Sequence, residues 1–305
     1  MRSNRSRDTV NGILLVDKPV GQSSNRTLQE VKNIFNAKKA GHTGSLDVLA
    51  SGLLPVCLGE ATKIAQFLLD SDKVYEAEFT LGKTTSTGDC EGEETGAAGT
   101  NGLDARAVNE AITKLTGDVL QVPPMYSALK VNGERLYRLA RKGLVVKREN
   151  RPVKIYRFEM LDIDLPKISV RVHCSKGTYI RVLAEDLGKL LNCGAFMSKL
   201  TRVSSASFHL ADAYNPSALE QIRISDGSSA LKSLLVNVDA ALMHLPEVTL
   251  SSSDTRSVKF GQSVALSEFF QVTEIIRLYD ESGDFFGIGE IKEVGRMRPK
   301  RLFNL

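Results

Sequence analysis

Residues 73–82 read KVYEAEFTLG. Tyr75, Ala77, Phe79 and Leu81 alternate with Glu76, Glu78 and Thr80, the period of two that marks a strand with one face in a core and the other toward water. Upstream, NGILLVDKPVGQSSNRTLQEVKNIF (11–35) predicts a short strand, a turn at DKPVG, and a helix capped by Ser23 or Ser24 with Leu28, Val31 and Phe35 on one stripe. EATKIAQFLLD (60–70) predicts a further helix. Downstream, Lys83 to Gly102 reads as a loop, and Asp104 caps a helix, ARAVNEAITKLTG (105–117), that ends at Gly117. VKIYRFEMLDID (153–164) and ISVRVHCS (168–175) suggest an antiparallel pair. TYIRVLAEDLGKLL (178–191) predicts a helix with Ile180, Leu183, Leu187 and Leu190 inward, and VSSASFHL (203–210) another strand. Strands and helices mix without a βαβ rhythm and without repeats. The fold class is therefore α+β, with flanking helices on a mixed, mostly antiparallel sheet.

A chain of 305 residues suggests roughly two domains. ISDGSSALKS (224–233) and SSSD (251–254) are polar, and the second is the better boundary, which divides the chain into 9–250 and 251–305. VKFGQSVAL, VTEIIRLYDESGDFFGIGEI and RMRPKRLFNL beyond it suggest short strands of a small β module that packs on the first domain. The basic N-terminus precedes only the short apolar run ILLV, too little for a signal peptide or membrane span, so a cytoplasmic protein with no membrane association is expected. Cys57, Cys90, Cys174 and Cys193 are widely spaced and form no zinc-ligand pattern or disulfide framework.

Net charge is +4 but uneven. Lys130, Arg135, Arg138, Arg141, Lys142, Lys147, Arg148, Arg151 and Lys154 face only Glu134 and Glu149 in one stretch, and Lys292, Arg296, Arg298, Lys300 and Arg301 cluster near the end. One such run is commonly a solvated face. Two, with tyrosines beside the first, point to a polyanion, most simply nucleic acid. The segment LGKTTSTGD (81–89) imitates a phosphate-binding loop but has Ala77 where that motif needs glycine, and no G-x-G-x-x-G follows a strand. No cofactor or metal is expected.

GHTGSLDVLASGLLPVCLGE (41–60) holds four glycines and, between Gly41 and Gly59, a single charged side chain, Asp47. A lone carboxylate among apolar residues must reach water or meet a cation from elsewhere; turn capping is its plain alternative. Taken with DKPVGQSS (17–24), KVYEAEFTLG, QVPPMYSALKVNGERLYRLARKG (121–143) and CSKGTYIRVLAEDLG (174–188), this segment resembles the TruB family, the synthases that make pseudouridine in the T loop of tRNA. The resemblance runs over nearly the whole chain, and the C-terminal module resembles the PUA RNA-binding domain.

That resemblance implies isomerisation of uridine 55 of tRNA by a cofactor-free monomer. It implies Asp47 as the nucleophile, Arg181 as its ion partner, and Tyr75 against the base with its hydroxyl available for proton transfer. Periodicity alone assigns Tyr75 to the core, and position alone makes Arg181 a surface residue on a helix's first turn. His42 is implied to fill the stack left by the extruded uridine, and Leu200, in SKLTR, to contact the uracil. Lys18 with Pro19 supports the loop, and Tyr126, Lys130 and Tyr179 complete the substrate-binding set. Ser45 and Val48 depart from the family's usual threonine and proline, the latter losing a fixed backbone angle. The rival readings are a non-catalytic RNA-binding protein or tRNA-folding chaperone, which has no need of Asp47, and a glycosidase, for which no second carboxylate is evident in the sequence near Asp47.

Overall fold

The strand Lys73–Leu81 lies in the middle of a nine-stranded sheet, as its alternation demands. The computed structural model describes residues 7–127, 129–131, 133–266 and 270–305. Lys73–Leu81 pairs antiparallel with Lys167–Cys174 on one side and with Ala195–Ser205 on the other. The sheet continues outward through Arg151–Asp164 to Gly117–Gln121, and in the other direction through Ser51–Leu58 to Gly12–Lys18. All of these pairings are antiparallel except a short parallel one between Ala195–Ser205 and Ser51–Leu58.

Local signals account for most of the helices. Ser23 Oγ accepts from Arg26 N–H at 3.2 Å and starts the helix Ser24–Ile34, and Asp104 accepts from Ala107 N–H at 2.8 Å ahead of Ala105–Lys114. The helix Ile180–Leu190 buries Ile180, Leu183 and Leu187 against Ala77, Phe79 and Leu81 of the central strand. Leu190 is exposed, because the helix is ending and the stripe has turned away from the sheet. EATKIAQFLLD forms a 3₁₀ turn over Gly59–Ile64 before a short α-helix, Ala65–Leu69. The polar run 224–233 is helical, shared between Pro216–Ser225 and Gly227–Ser233. VSSASFHL is interrupted: the strand stops at Ser205, Ala206 takes a φ of 54°, and Phe208–His209 folds back on it. No helix among the described residues is long and apolar enough to cross a membrane.

A second, five-stranded sheet follows the order Glu247–Thr249, Ile275–Tyr279, Phe285–Glu293, Arg296–Leu302, Val264–Ala265. It opens four residues before the boundary at 251. VKFGQSVAL (258–266) is strand only at Val264–Ala265, because its first two residues end a helix, Ser252–Lys259, capped by Ser251, whose Oγ accepts from Asp254 N–H at 3.1 Å. This module shares a core with the larger sheet: Phe285, Ile288 and Phe303 pack with Ile13, Leu53 and Phe208. Lys63 Nζ donates to Leu302 O at 2.7 Å and Asn11 Nδ2 to Asn304 O at 3.0 Å across the same junction.

Candidate active site

The loop carrying Asp47 is fixed at both ends. Ser24 Oγ, at the start of its helix, accepts from Leu46 N–H at 2.8 Å and lies 3.1 Å from Leu46 O. Val48 O accepts from Gly21 N–H at 2.8 Å, so the loop is tied here without the proline usual in the family. Gly52 has a φ of +99°, and a Cβ there would stand 2.4 Å from Arg202 O; only glycine lets the two strands approach this closely.

Thus held, Asp47 faces a pocket of about 500 Å³ that is also lined by Tyr75, Arg181, His42, Leu200, Tyr126 and Tyr179. Arg181 is 6% exposed and reaches Asp47 Oδ2 with Nη2 at 3.2 Å. Its Nη1 reaches Asp89 Oδ2 at 3.2 Å, and Nη2 donates to Tyr126 O at 2.8 Å. The arginine is a buried linchpin, not a surface residue. Gln121 locks the residue before its helix, donating to Tyr179 O at 3.2 Å and accepting from Tyr179 N–H at 2.9 Å.

Burial pushes the Asp47 carboxyl above its ordinary range; Arg181 pulls it down, Asp89 pushes it up again, and Lys18 pulls down more weakly. The Asp47 side chain is still 43% exposed through the pocket mouth, so substrate and water can both reach it. Tyr75 sits at the pocket end of a face whose other members, Ala77, Phe79 and Leu81, are core. Burial pushes its phenol up, with the neighbouring Arg202 charge opposing. His42 is pushed down by burial and then by Arg202, which favours the neutral ring, and its Nδ1 is buried without a hydrogen-bond partner among the described residues.

Two residues assigned to substrate binding do not line this pocket. Lys18 is fully buried and donates to Pro19 O at 2.8 Å and Gln22 O at 2.6 Å, bracing the turn ahead of the Ser24 helix. Lys130 is exposed on a small hairpin, Lys130–Val131 with Glu134–Arg135, in the basic stretch. Sequence reasoning missed three others. Asp89, Lys73 and Arg202 are all buried, and the last two line the pocket. Lys73 is pushed down to about 8, chiefly by burial and next by Arg202, and its Nζ donates to Leu68 O at 3.1 Å and Leu69 O at 2.9 Å.

Asp89 is a second carboxylate close to Asp47, which the sequence did not reveal. It does not supply a glycosidase acid, because its oxygens accept from Thr87 Oγ1, from Glu91 N–H at 3.1 Å and from Arg181. Its part is to hold the arginine. Asp89→Asn should lower kcat about tenfold, since Arg181 loses one of two charged anchors. Because the Asp89 charge raises the Asp47 carboxyl, the acid limb of kcat/KM should move to lower pH in this variant, as a rate profile will show.

Whole-chain comparisons show the family. The description TruB family pseudouridylate synthase (N terminal domain) matches residues 32–180. Two C-terminal descriptions of the same family match 181–243 and 246–303. The chain belongs to the TruB family. Two relatives called tRNA pseudouridine synthase B, from Pseudomonas aeruginosa (strain UCBPP-PA14) and Actinobacillus pleuropneumoniae serotype 5b (strain L20), are 46% and 43% identical. The first alignment covers 98% of this chain and 97% of the relative, the second 99% and 98%. Among solved structures, a chain of a Cbf5-Nop10-Gar1 complex is similar with a TM-score of 0.75 at 25% identity, over 96% of this chain and 85% of that one. A chain of an H/ACA RNP bound to a substrate RNA containing 2'-deoxyuridine shares the fold at TM-score 0.73 and 21% identity, over 100% and 93%. As a TruB-family member the protein is a pseudouridine synthase, an isomerase.

Proposed function

We propose that the protein converts uridine 55 in the T loop of tRNA to pseudouridine, with Asp47 as nucleophile. The observation that carries this is the Asp47–Arg181 pair at 3.2 Å in a pocket walled by Tyr75, His42 and Leu200, within a chain whose relatives are called tRNA pseudouridine synthase B. The reaction breaks the bond from C1′ to N1, turns the uracil and closes a bond from C1′ to C5, while C5 loses a proton and N1 gains one. Nothing is oxidised or reduced. A carboxylate can attack C6 of the base or C1′ of the sugar, and both routes use the same atom of the protein. Tyr75 stands where its ring can stack on the base and its hydroxyl can take part in proton transfer, with Leu200 against the uracil. His42 enters the space left when the uridine leaves its loop. The experiment is to incubate the protein with an unmodified tRNA transcript and map pseudouridine by position. Modification at 55 supports the reading, and an unmodified T loop refutes it.

The basic surfaces fit a phosphate backbone. Arg135, Arg138, Arg141, Lys142 and Lys147 are exposed in the first cluster, and Arg296, Arg298, Lys300 and Arg301 on the last strand of the C-terminal module. We assign that module, from Glu247 onward, to holding RNA as a PUA-like domain. Deleting it is a poor test, because Phe285, Ile288 and Phe303 complete the larger domain's core. Replacing Arg298 and Arg301 by alanine leaves that core alone. The pair should weaken binding of full-length tRNA and reduce the slope of log K against log salt by roughly 0.7 to 0.9 per lost contact. A minimal T stem-loop, too short to reach the module, should react at the wild-type rate.

A further inference from the structure

Ser127 is 6% exposed and lines the active-site pocket together with Asp47, Arg181, Tyr126 and Tyr179. Its Oγ is buried and has no hydrogen-bond partner among the described residues. The Tyr179 hydroxyl lies beside it without forming a hydrogen bond. Leaving a buried hydroxyl unpaired costs free energy, and alanine would fill the same place without that cost. Ser24 shows the ordinary arrangement, with its Oγ bonded to both backbone groups of Leu46.

The backbone around Ser127 is fixed close to the nucleophile. Tyr126 O accepts from Arg181 Nη2 at 2.8 Å, and the same nitrogen stands 3.2 Å from Asp47 Oδ2. The residue next to Ser127 therefore shares a donor with Asp47. On the other side, Ser127 O accepts from Tyr137 N–H at 3.1 Å, in the helix Leu136–Arg141 that is anchored by the fully buried Leu136. The hydroxyl is thus carried on a set part of the pocket wall. Serine has staggered rotamers to choose from, and an unpaired Oγ gives up no bond in changing between them.

The part of a nucleotide that enters such a pocket deepest is the base, and uracil presents two carbonyl oxygens. Both routes open to Asp47 put charge on them. Attack at C6 forms the bond from Oδ to C6 and moves the C5–C6 π pair through C4 onto O4. Attack at C1′ forms the bond from Oδ to C1′ and breaks the one to N1, whose electron pair spreads over N1, O2 and O4. A donor already placed where that charge develops stabilises it more than it stabilises the neutral base.

We propose that Ser127 is a further catalytic residue, whose hydroxyl donates to a carbonyl oxygen of the bound uracil and stabilises the charge that develops there. This rests on the pseudouridine reading above. Its effect belongs on kcat more than on KM.

The test is Ser127→Ala, assayed on an unmodified tRNA transcript and melted beside the wild type. Its kcat should fall on the order of 100-fold, with a much smaller change in KM. Its melting temperature should equal or exceed that of the wild type, because the lost hydroxyl had no partner. Transcripts with 2-thiouridine or 4-thiouridine at the target position locate the contact, since sulfur accepts a hydrogen bond more weakly than oxygen. One of the two should slow the wild type far more than it slows Ser127→Ala. Equal effects of both in the two proteins, a wild-type kcat in Ser127→Ala, or a rise in KM alone would overturn the proposal. So would a variant that melts well below the wild type or does not fold, since the hydroxyl would then be serving the protein's own structure. A wild-type protein that forms no pseudouridine sinks the functional reading and this one with it, whereas an active wild type beside an unaffected Ser127→Ala sinks this one alone.

Discussion

Asp47→Asn is expected to lose pseudouridine formation by at least on the order of 10³-fold while binding tRNA almost as wild type does. The side-chain amide is nearly isosteric but is not a nucleophile, and Arg181 stays anchored on Asp89 and Tyr126 O, so the pocket keeps its shape. The variant should also be no less stable. An acid whose folded pKa is raised gives up stability as pH rises from its unfolded value through its folded one, so at neutral pH the Asp47 carboxylate is a burden that asparagine removes. With 43% of the side chain exposed, solvent screening keeps that gain small. A melt at or slightly above the wild-type temperature, beside an inactive enzyme that still shifts tRNA in a binding assay, is the combined signature. Turnover close to wild type would remove Asp47 as the nucleophile.

Arg181→Lys should lower kcat on the order of tenfold or more, with a smaller change in KM. The guanidinium meets Asp47, Asp89, Thr87 O and Tyr126 O at once, a fork that a single ammonium cannot reproduce. Removing the charge altogether, as in Arg181→Met, deprives the Asp47 carboxyl of the largest influence pulling it down. Its pKa should rise further. Since the ionised form is the nucleophile, the acid limb of kcat/KM should shift to higher pH, opposite to the shift expected for Asp89→Asn. Rate profiles of the two variants side by side would show opposite displacements if electrostatics at Asp47 governs the limb.

The strand face of Tyr75 was legible from its alternation, and Ala77, Phe79 and Leu81 are core as that alternation requires. Periodicity cannot say where a sheet face stops being covered, which is why Tyr75 looked like core and instead opens into the pocket. Arg181 was ambiguous for a related reason. Its partners come from loops around residues 47 and 89, and no local signal reports a contact at that separation. Asp89 lay unremarked at the end of a Thr- and Gly-rich loop. Arg202 had a signal that went unused: a charge two residues from Leu200 on the inward face of a strand. The helix Ser252–Lys259 was missed because Val258 and Phe260 fit an alternating reading, although SSSD carries a serine with aspartate three residues on, the pattern of an N-terminal cap. The junction between modules was beyond local reading, since Phe285 and Phe303 meet residues more than 200 positions away.

The most direct measurement is release of tritium from an unmodified tRNA transcript labelled at C5 of uridine, in a single turnover with excess wild-type protein. Joining C1′ to C5 expels the hydrogen at that carbon, whereas RNA binding or refolding leaves it in place. The account predicts release equivalent to one uridine per tRNA, absent with Asp47→Asn and absent when position 55 is not a uridine. Retention of the label by the wild-type protein, with tRNA bound, would contradict it.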